Sequence, residues 1–170
     1  MTNIRPAIES DAPFLPEIER SSGEIFRQWP GLEWIADDDV QSAERHRALI
    51  ADGVAFVAEI QGYEIVAFLN GELMPDALHI WQMAVRRDQQ RQGIGRKLLK
   101  AAQRFATNHG INALTLTTFR EVPWNELHYH RLGFVTLKGE GLVPRLKAVL
   151  DAEGQAGLPT AQRCAMRKTL

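Results

Sequence analysis

Cysteine is nearly missing from this chain: Cys164 stands alone among 170 residues. One thiol cannot close an internal disulfide, and no Cys/His spacing matches a zinc site, so neither a disulfide framework nor a metal is expected. Charge of one sign is also lacking, since 20 Lys and Arg face 21 Asp and Glu for a formal net charge of -1. Without a global basic field, nucleic acid and anionic membrane surfaces are not expected as partners. No apolar run is long enough for a membrane-spanning helix, and no charged-then-apolar leader follows Met1. A reduced, cytoplasmic location is therefore expected. Repeats, low-complexity tracts and linkers are absent as well. What is present, 45% hydrophobic and 24% charged residues, suits a soluble core-forming chain, read as a single domain over residues 1–170.

Along that chain, helix and strand signals interleave. Thr2 to Ile8 reads as a first strand, and Ser10 is placed to cap a helix reaching Ser22 and stopping at Gly23. Pro13 suits that helix's first turn, whereas Pro16 lies deeper and should kink or shorten it. Residues 24–39 have no clear period and read as a short helix plus loop. A helical pattern returns over Val40 to Ala51 and ends at Asp52-Gly53. Val54 to Ile60 and Tyr63 to Leu73, separated by Gln61-Gly62, form a predicted hairpin, and Leu78 to Val85 is the next strand. Leu98, Leu99, Ala102, Phe105 and Ala106 mark one face of a helix closed by Gly110. Then follow a strand at Leu114 to Phe119, a short helix at Trp124 to Leu132 ended by Gly133, and a strand at Phe134 to Lys138. A helix at Leu142 to Ala152, a loop from Gly154 to Pro159 and a strand at Gln162 to Lys168 complete the chain.

The most informative stretch is Gln90-Arg91-Gln92-Gly93-Ile94-Gly95-Arg96-Lys97-Leu98-Leu99, a glycine-bracketed turn between a strand and an amphipathic helix. Unpaired N–H groups in a first helical turn, together with the helix dipole, favour a phosphate there. Arg91 and Arg96 add side-chain cations. A P-loop would need Gly-Lys-Ser/Thr, but Gly95 is followed by Arg96-Lys97-Leu98. A dinucleotide fingerprint would need a third glycine at position 98, where Leu98 stands, and an acidic residue near Thr115, where there is none.

Gln90-x-x-Gly93-x-Gly95 resembles the Arg/Gln-x-x-Gly-x-Gly/Ala signature of the GNAT superfamily of acyl-CoA-dependent N-acyltransferases. Met83-Ala84-Val85-Arg86 upstream and Tyr129-His130-Arg131-Leu132-Gly133-Phe134 downstream extend the resemblance. The order of elements over nearly the whole chain is similar to that fold too. The resemblance implies an α/β fold: a mixed, mostly antiparallel central sheet flanked by helices, with a splayed strand at the cofactor site. It implies acetyl-CoA as donor substrate, with Met83, Ala84 and Val85 offering backbone to the pantetheine arm. The amides of Arg91, Gln92, Gly93, Ile94, Gly95 and Arg96 would cradle the pyrophosphate, glycine allowing close backbone approach at 93 and 95. Asn125 would bind the cofactor arm.

The reaction implied is direct attack of a primary amine, expected to belong to a small molecule, on the acetyl thioester. Tyr129 holds the family's position for the acid that protonates the departing thiolate, a role suited to a phenol. Many relatives carry a glutamate base on the strand before the loop, where Trp81 and Gln82 stand here. His79, Glu33 and His128 are the alternatives for that base, directly or through water. For the acceptor side, Glu33, Trp34, His79, Trp81 and Trp124 are the expected contacts, the tryptophans by stacking on a flat or cationic group. A non-catalytic acyl-CoA sensor and an acetyltransferase acting on a protein N-terminus or lysine remain alternatives. Family members often dimerise, and the sequence identifies no interface.

Overall fold

Strand β1 (Asn3–Pro6) pairs antiparallel with β2 (Val54–Ile60), and an ion-paired cluster fastens the two. Arg5 Nε donates to Glu59 on β2 at 2.6 Å, while its terminal nitrogens donate to both oxygens of Asp11 at 2.7 and 3.0 Å. A computed structural model describes residues 1–170. It divides into two compact units, residues 1–73 with 81–105, and residues 74–80 with 106–170.

In the first unit, the expected Ser10 cap is replaced. Ser10 is exposed and lies in a 3-10 turn, Glu9–Phe14, whose entry is held by Asp11 accepting the Ile8 N–H at 2.8 Å. Asp11 takes that place because its carboxylate is already fixed by Arg5. Helix α1 (Leu15–Gly23) therefore starts later than expected, which puts Pro16 in its first turn. There the missing N–H removes no intrahelical bond, so no kink results. Residues 24–39 contain two 3-10 turns, Glu24–Gln28 and Glu33–Asp37. Helix α2 (Ala43–Asp52) is capped by Ser42, whose Oγ accepts the Arg45 N–H at 3.1 Å. Strand β2 runs through a three-residue turn, Gln61–Tyr63, into β3 (Glu64–Leu73), antiparallel, with a register shift at Ala58/Glu59; Tyr63, expected to open the strand, has φ 63° and belongs to the turn. Leu15 and Ile18 of α1 pack on Val57, Phe68 and Ala84, all buried. Each of these side chains larger than Ala84 contributes about 1.5–3 kcal/mol by leaving water.

Strand β4 (Leu78–Val85) and helix α3 (Ile94–Asn108) belong in part to each unit. On α3 the predicted apolar face holds, since Leu98, Leu99, Ala102 and Ala106 are buried and Phe105 meets Phe56 edge-on, centroids 6.2 Å apart.

In the second unit, β5 (Ala113–Phe119) pairs parallel with the start of β4 through Leu78↔Leu114, His79↔Thr115 and Ile80↔Leu116. Short helix α4 (Glu126–Arg131) leads to β6 (Val135–Thr136), and helix α5 (Pro144–Gln155) to β7 (Arg163–Thr169). Strand β7 pairs antiparallel with both β5 and β6, completing a seven-stranded order β1-β2-β3-β4-β5-β7-β6. The sheet is mixed and mostly antiparallel, with one parallel pair. Gly154 lies inside α5 rather than opening a loop. Leu146 and Leu150 of α5 cover Ala165 of β7. No helix is long and apolar enough to cross a membrane.

Candidate active site

The loop after β4 is built by backbone handedness. Arg91 and Gly93 both have positive φ, 64° and 77°. A non-glycine residue in that region is uncommon, so Arg91 carries local strain that the surrounding turn must hold. Gln90 does part of this work, because its Nε2 donates to the Val85 carbonyl at 3.0 Å and its Oε1 accepts from Arg87 at 2.9 Å. The glutamine of the signature is thus a clamp between strand end and loop. Lys97 N–H donates to the Gly93 carbonyl at 3.1 Å, which places Gly93 at the N-cap of α3. The amides of Ile94, Gly95 and Arg96 then fall in the first turn, where the helix supplies no acceptor.

The two glycines differ in what they require. At Gly93 an added Cβ would meet nothing within 4 Å, so its need for glycine is conformational. At Gly95 a Cβ would lie 3.5 Å from Met83 Cε and 3.9 Å from Val85 Cγ2, ordinary contact distances. Met83 and Val85 are therefore brought against the first turn of α3, with Ala84 buried between them. Gln92 is exposed and Ile94 buried. Arg91 and Arg96 are exposed, whereas Arg86 is held by Asp88 and Glu64.

Beside that strand end, Gln82 spans two groups. Its Oε1 accepts the Met83 N–H at 3.1 Å, and its Nε2 donates to Glu19 Oε2 at 3.0 Å. Trp81 Nε1 donates to Glu72 at 3.0 Å, and Arg45 lies over its ring at 5.9 Å. Trp34 is exposed, and Glu33 accepts the Gly31 N–H at 2.8 Å in the same surface turn.

The second unit holds the remaining expected residues. Asn125 precedes α4, and its Oδ1 is buried without a protein donor. Its backbone carbonyl accepts the Tyr129 N–H at 2.9 Å. The Tyr129 ring packs edge-on against Phe134 at 5.4 Å and tilted against His128 at 5.8 Å. Burial pushes the phenol up to about 12, with Arg163 pulling weakly the other way. Its proton is therefore retained across the neutral range. Burial also lowers His128. Trp124 is half-buried in the turn before α4.

His79 is fully buried, its Nδ1 2.9 Å from Thr115 Oγ1. Arg145 also donates to Thr115, at 3.1 Å, and pairs with Asp76 at 2.9 and 3.0 Å. Burial and the Arg145 charge bring the imidazole down to about 4, so it is neutral at pH 7. Two carboxylates are not signalled as site residues in the sequence, Glu19 beside Gln82 in the first unit and Glu126 on α4 in the second. Glu126 accepts from Cys164, Thr136 and the Glu121 N–H at 3.4, 3.2 and 3.2 Å. Glu19 is not signalled locally, because Gln41 and Gln82 lie 22 and 63 positions away along the chain.

The profile of the Acetyltransferase (GNAT) family matches residues 17–134, more than half of the chain. This chain belongs to the GNAT acetyltransferase family. Solved structures share the fold at low identity. PaiA N-acetyltransferase from Thermoplasma acidophilum, in complex with coenzyme A, is 17% identical with a TM-score of 0.72, covering 100% of this chain and 99% of that one. The ribosomal-protein-S18-alanine N-acetyltransferase from Escherichia coli is 18% identical, TM-score 0.67, covering 99% and 94%. N-acetylglutamate synthase from Neisseria gonorrhoeae, complexed with coenzyme A and N-acetyl-glutamate, is 20% identical, TM-score 0.72, covering all of this chain but 35% of that one. This GNAT chain thus carries the family's loop and helix start in its first unit and the Tyr-Gly-Phe block in its second.

Proposed function

We propose that this GNAT chain, acting as one acetyltransferase domain, moves an acetyl group from acetyl-CoA to a primary amine of a small molecule. The observation that carries this reading is the left-handed Arg91–Gly93 turn opening onto the unpaired first-turn amides of α3. Those amides, with the exposed guanidinium groups of Arg91 and Arg96, suit a pyrophosphate. The buried, unpartnered Asn125 Oδ1 suits an N–H of the pantetheine arm. The Thermoplasma and Neisseria structures, both solved with coenzyme A, support the same donor.

The chemistry follows from the groups present. The amine nitrogen bonds to the thioester carbonyl carbon, the C–S bond breaks, and sulfur leaves with the electron pair. Tyr129, a phenol that keeps its proton at neutral pH, donates to that sulfur. Glu33, Trp34, Trp81 and Trp124 remain the proposed acceptor contacts. His79 is proposed neither as the base nor as an acceptor contact, because it is fully buried against Thr115 and has low proton affinity.

Thiol release measured across a panel of small amines, peptides with free N-termini and lysine peptides tests this reading, alongside calorimetric titration with acetyl-CoA. Turnover is expected on a small amine, and Tyr129→Phe should lower kcat by about 10²-fold or more while leaving acetyl-CoA affinity unchanged. Binding without turnover on any amine would favour the sensor alternative. Turnover on peptides alone would favour protein acetylation.

A further inference from the structure

In this chain β4 carries Trp81 and Gln82 where many GNAT relatives place a glutamate base. The Trp81 indole is committed to Glu72 and lies under Arg45, and Glu72 is itself paired with Arg45 at 3.3 Å. Glu59 is paired with Arg5 at 2.6 Å, and Glu33 sits in an exposed turn. His79 is fully buried.

Glu19 differs from all of these. It lies on α1, half-buried, and each carboxylate oxygen is held by a neutral donor: Oε1 by the Gln41 N–H and Oε2 by Gln82 Nε2, both at 3.0 Å. One donor on each oxygen fixes the plane of the group and leaves each oxygen a further acceptor position. The neighbouring Arg20 is paired with Glu17 at 2.8 Å. Gln41 is braced from behind, its Oε1 accepting from Asn70 at 2.8 Å, and Asn70 in turn lies 3.3 Å from His46 Nδ1. His46 is held neutral by burial, its pKa brought down to about 4. Gln82 also contacts Met83 N–H at 3.1 Å, so the carboxylate is one side chain away from the strand proposed to hold the pantetheine arm.

We infer that Glu19 is the general base that takes the proton of the acceptor ammonium, oriented from β4 by Gln82. This assignment rests on the amine acetyltransferase reading above. One ammonium proton passes to the Glu19 carboxylate, and the neutral nitrogen forms its bond to the carbonyl carbon as the C–S bond breaks. Sulfur takes a proton from Tyr129, the second N–H proton replaces the one Tyr129 gave, and Glu19 returns its proton to water. Desolvation raises the carboxyl above its ordinary range, with the Gln41 and Gln82 hydrogen bonds and the Arg20 charge opposing, which brings the group nearer the pH at which a base works best.

The test compares the unmodified chain with Glu19→Gln and Glu19→Asp, using the best amine of the panel over pH 6 to 10, with acetyl-CoA titration and thermal melting on each protein. Glu19→Gln should lower kcat/KM for the amine by about 10²-fold at pH 7. The deficit should narrow at high pH, where free amine needs no base. Acetyl-CoA affinity and melting temperature should stay near those of the parent, and Glu19→Asp should recover part of the rate. A Glu19→Gln rate within threefold of the parent at every pH overturns the inference, as does a loss of rate matched by equal losses of acetyl-CoA affinity and folding. If Glu19→Gln does not fold, Glu19→Ala takes its place, and a rate within threefold of the parent at every pH overturns it. Absence of turnover by the unmodified chain on every amine overturns the acetyltransferase reading itself, and this base with it.

Discussion

Replacing the two loop glycines by alanine should move stability in opposite directions. Gly93 has φ 77°, and a Cβ there meets nothing within 4 Å, so the penalty for Gly93→Ala is purely that of a left-handed L-residue. That penalty is about 1–2 kcal/mol. Reduced freedom of the unfolded chain offsets about 0.4–1 kcal/mol of it, leaving a net loss of roughly 1 kcal/mol. For a chain of this size, 1 kcal/mol corresponds to about 2–4 °C in Tm. Gly95 is helical, and its added Cβ would touch Met83 and Val85 at 3.5 and 3.9 Å without overlap. Gly95→Ala should therefore gain about 0.5–1 kcal/mol from helix propensity and melt higher. Scanning calorimetry without ligand measures both. Acetyl-CoA titration should then show weakened binding for Gly93→Ala, whose first-turn amides lose their preset direction, and retained binding for Gly95→Ala. A Gly93→Ala protein that melts at or above the parent temperature would refute the claim that the fold holds this turn left-handed. A Gly95→Ala protein that melts lower would refute the claim that Met83 leaves room.

Acid should weaken the fold in the window between pH 6.5 and 4. Burial lowers His46 and His79 to about 4, so the unfolded chain binds protons first as pH falls, and the native state loses stability on the order of 3 kcal/mol per histidine across that window. Glu19, raised by burial, contributes the opposite slope. Urea denaturation at pH 7 and pH 4.5 should show a smaller loss for His46→Gln than for the parent, and equal losses would contradict the assignment. Cys164 is buried, and its thiol is pushed up to about 12 by burial and by Glu126. A thiol reagent should leave it unmodified in the native protein and label it in urea, whereas rapid labelling of the folded chain would show that β7 opens.

Much of the architecture is legible in the sequence because its signals are local. The period of Leu98, Leu99, Ala102 and Ala106 alone selects the buried face of α3, and Gln61-Gly62 marks the hairpin. The bounds of β4 agree with the apolar run Leu78 to Val85. Where a tertiary partner competes with a local preference, the reading fails. Ser10 has the chemistry of a cap, but Asp11 carries the added attraction of Arg5 and holds the turn entry instead. Helix α1 consequently starts after that turn, and Pro16 becomes a first-turn residue.

The candidate site divides along the same line. Residues 90–96 read as the proposed phosphate loop because glycine spacing, flanking cations and a following helix all lie within one short segment. Tyr129 and Asn125 enter through a second local block. That burial raises the Tyr129 phenol, and that Asn125 Oδ1 is left without a donor, depends on packing. By itself the sequence determined the order of elements, the glycine turn before α3 and the family, since each rests on residues close together along the chain. Only the tertiary structure decided which carboxylate meets Gln82 of β4. Glu19 and Gln82 are separated by 63 positions and meet at 3.0 Å, a proximity that pattern along the chain cannot encode because it arises from the packing of α1 on the strands that follow it.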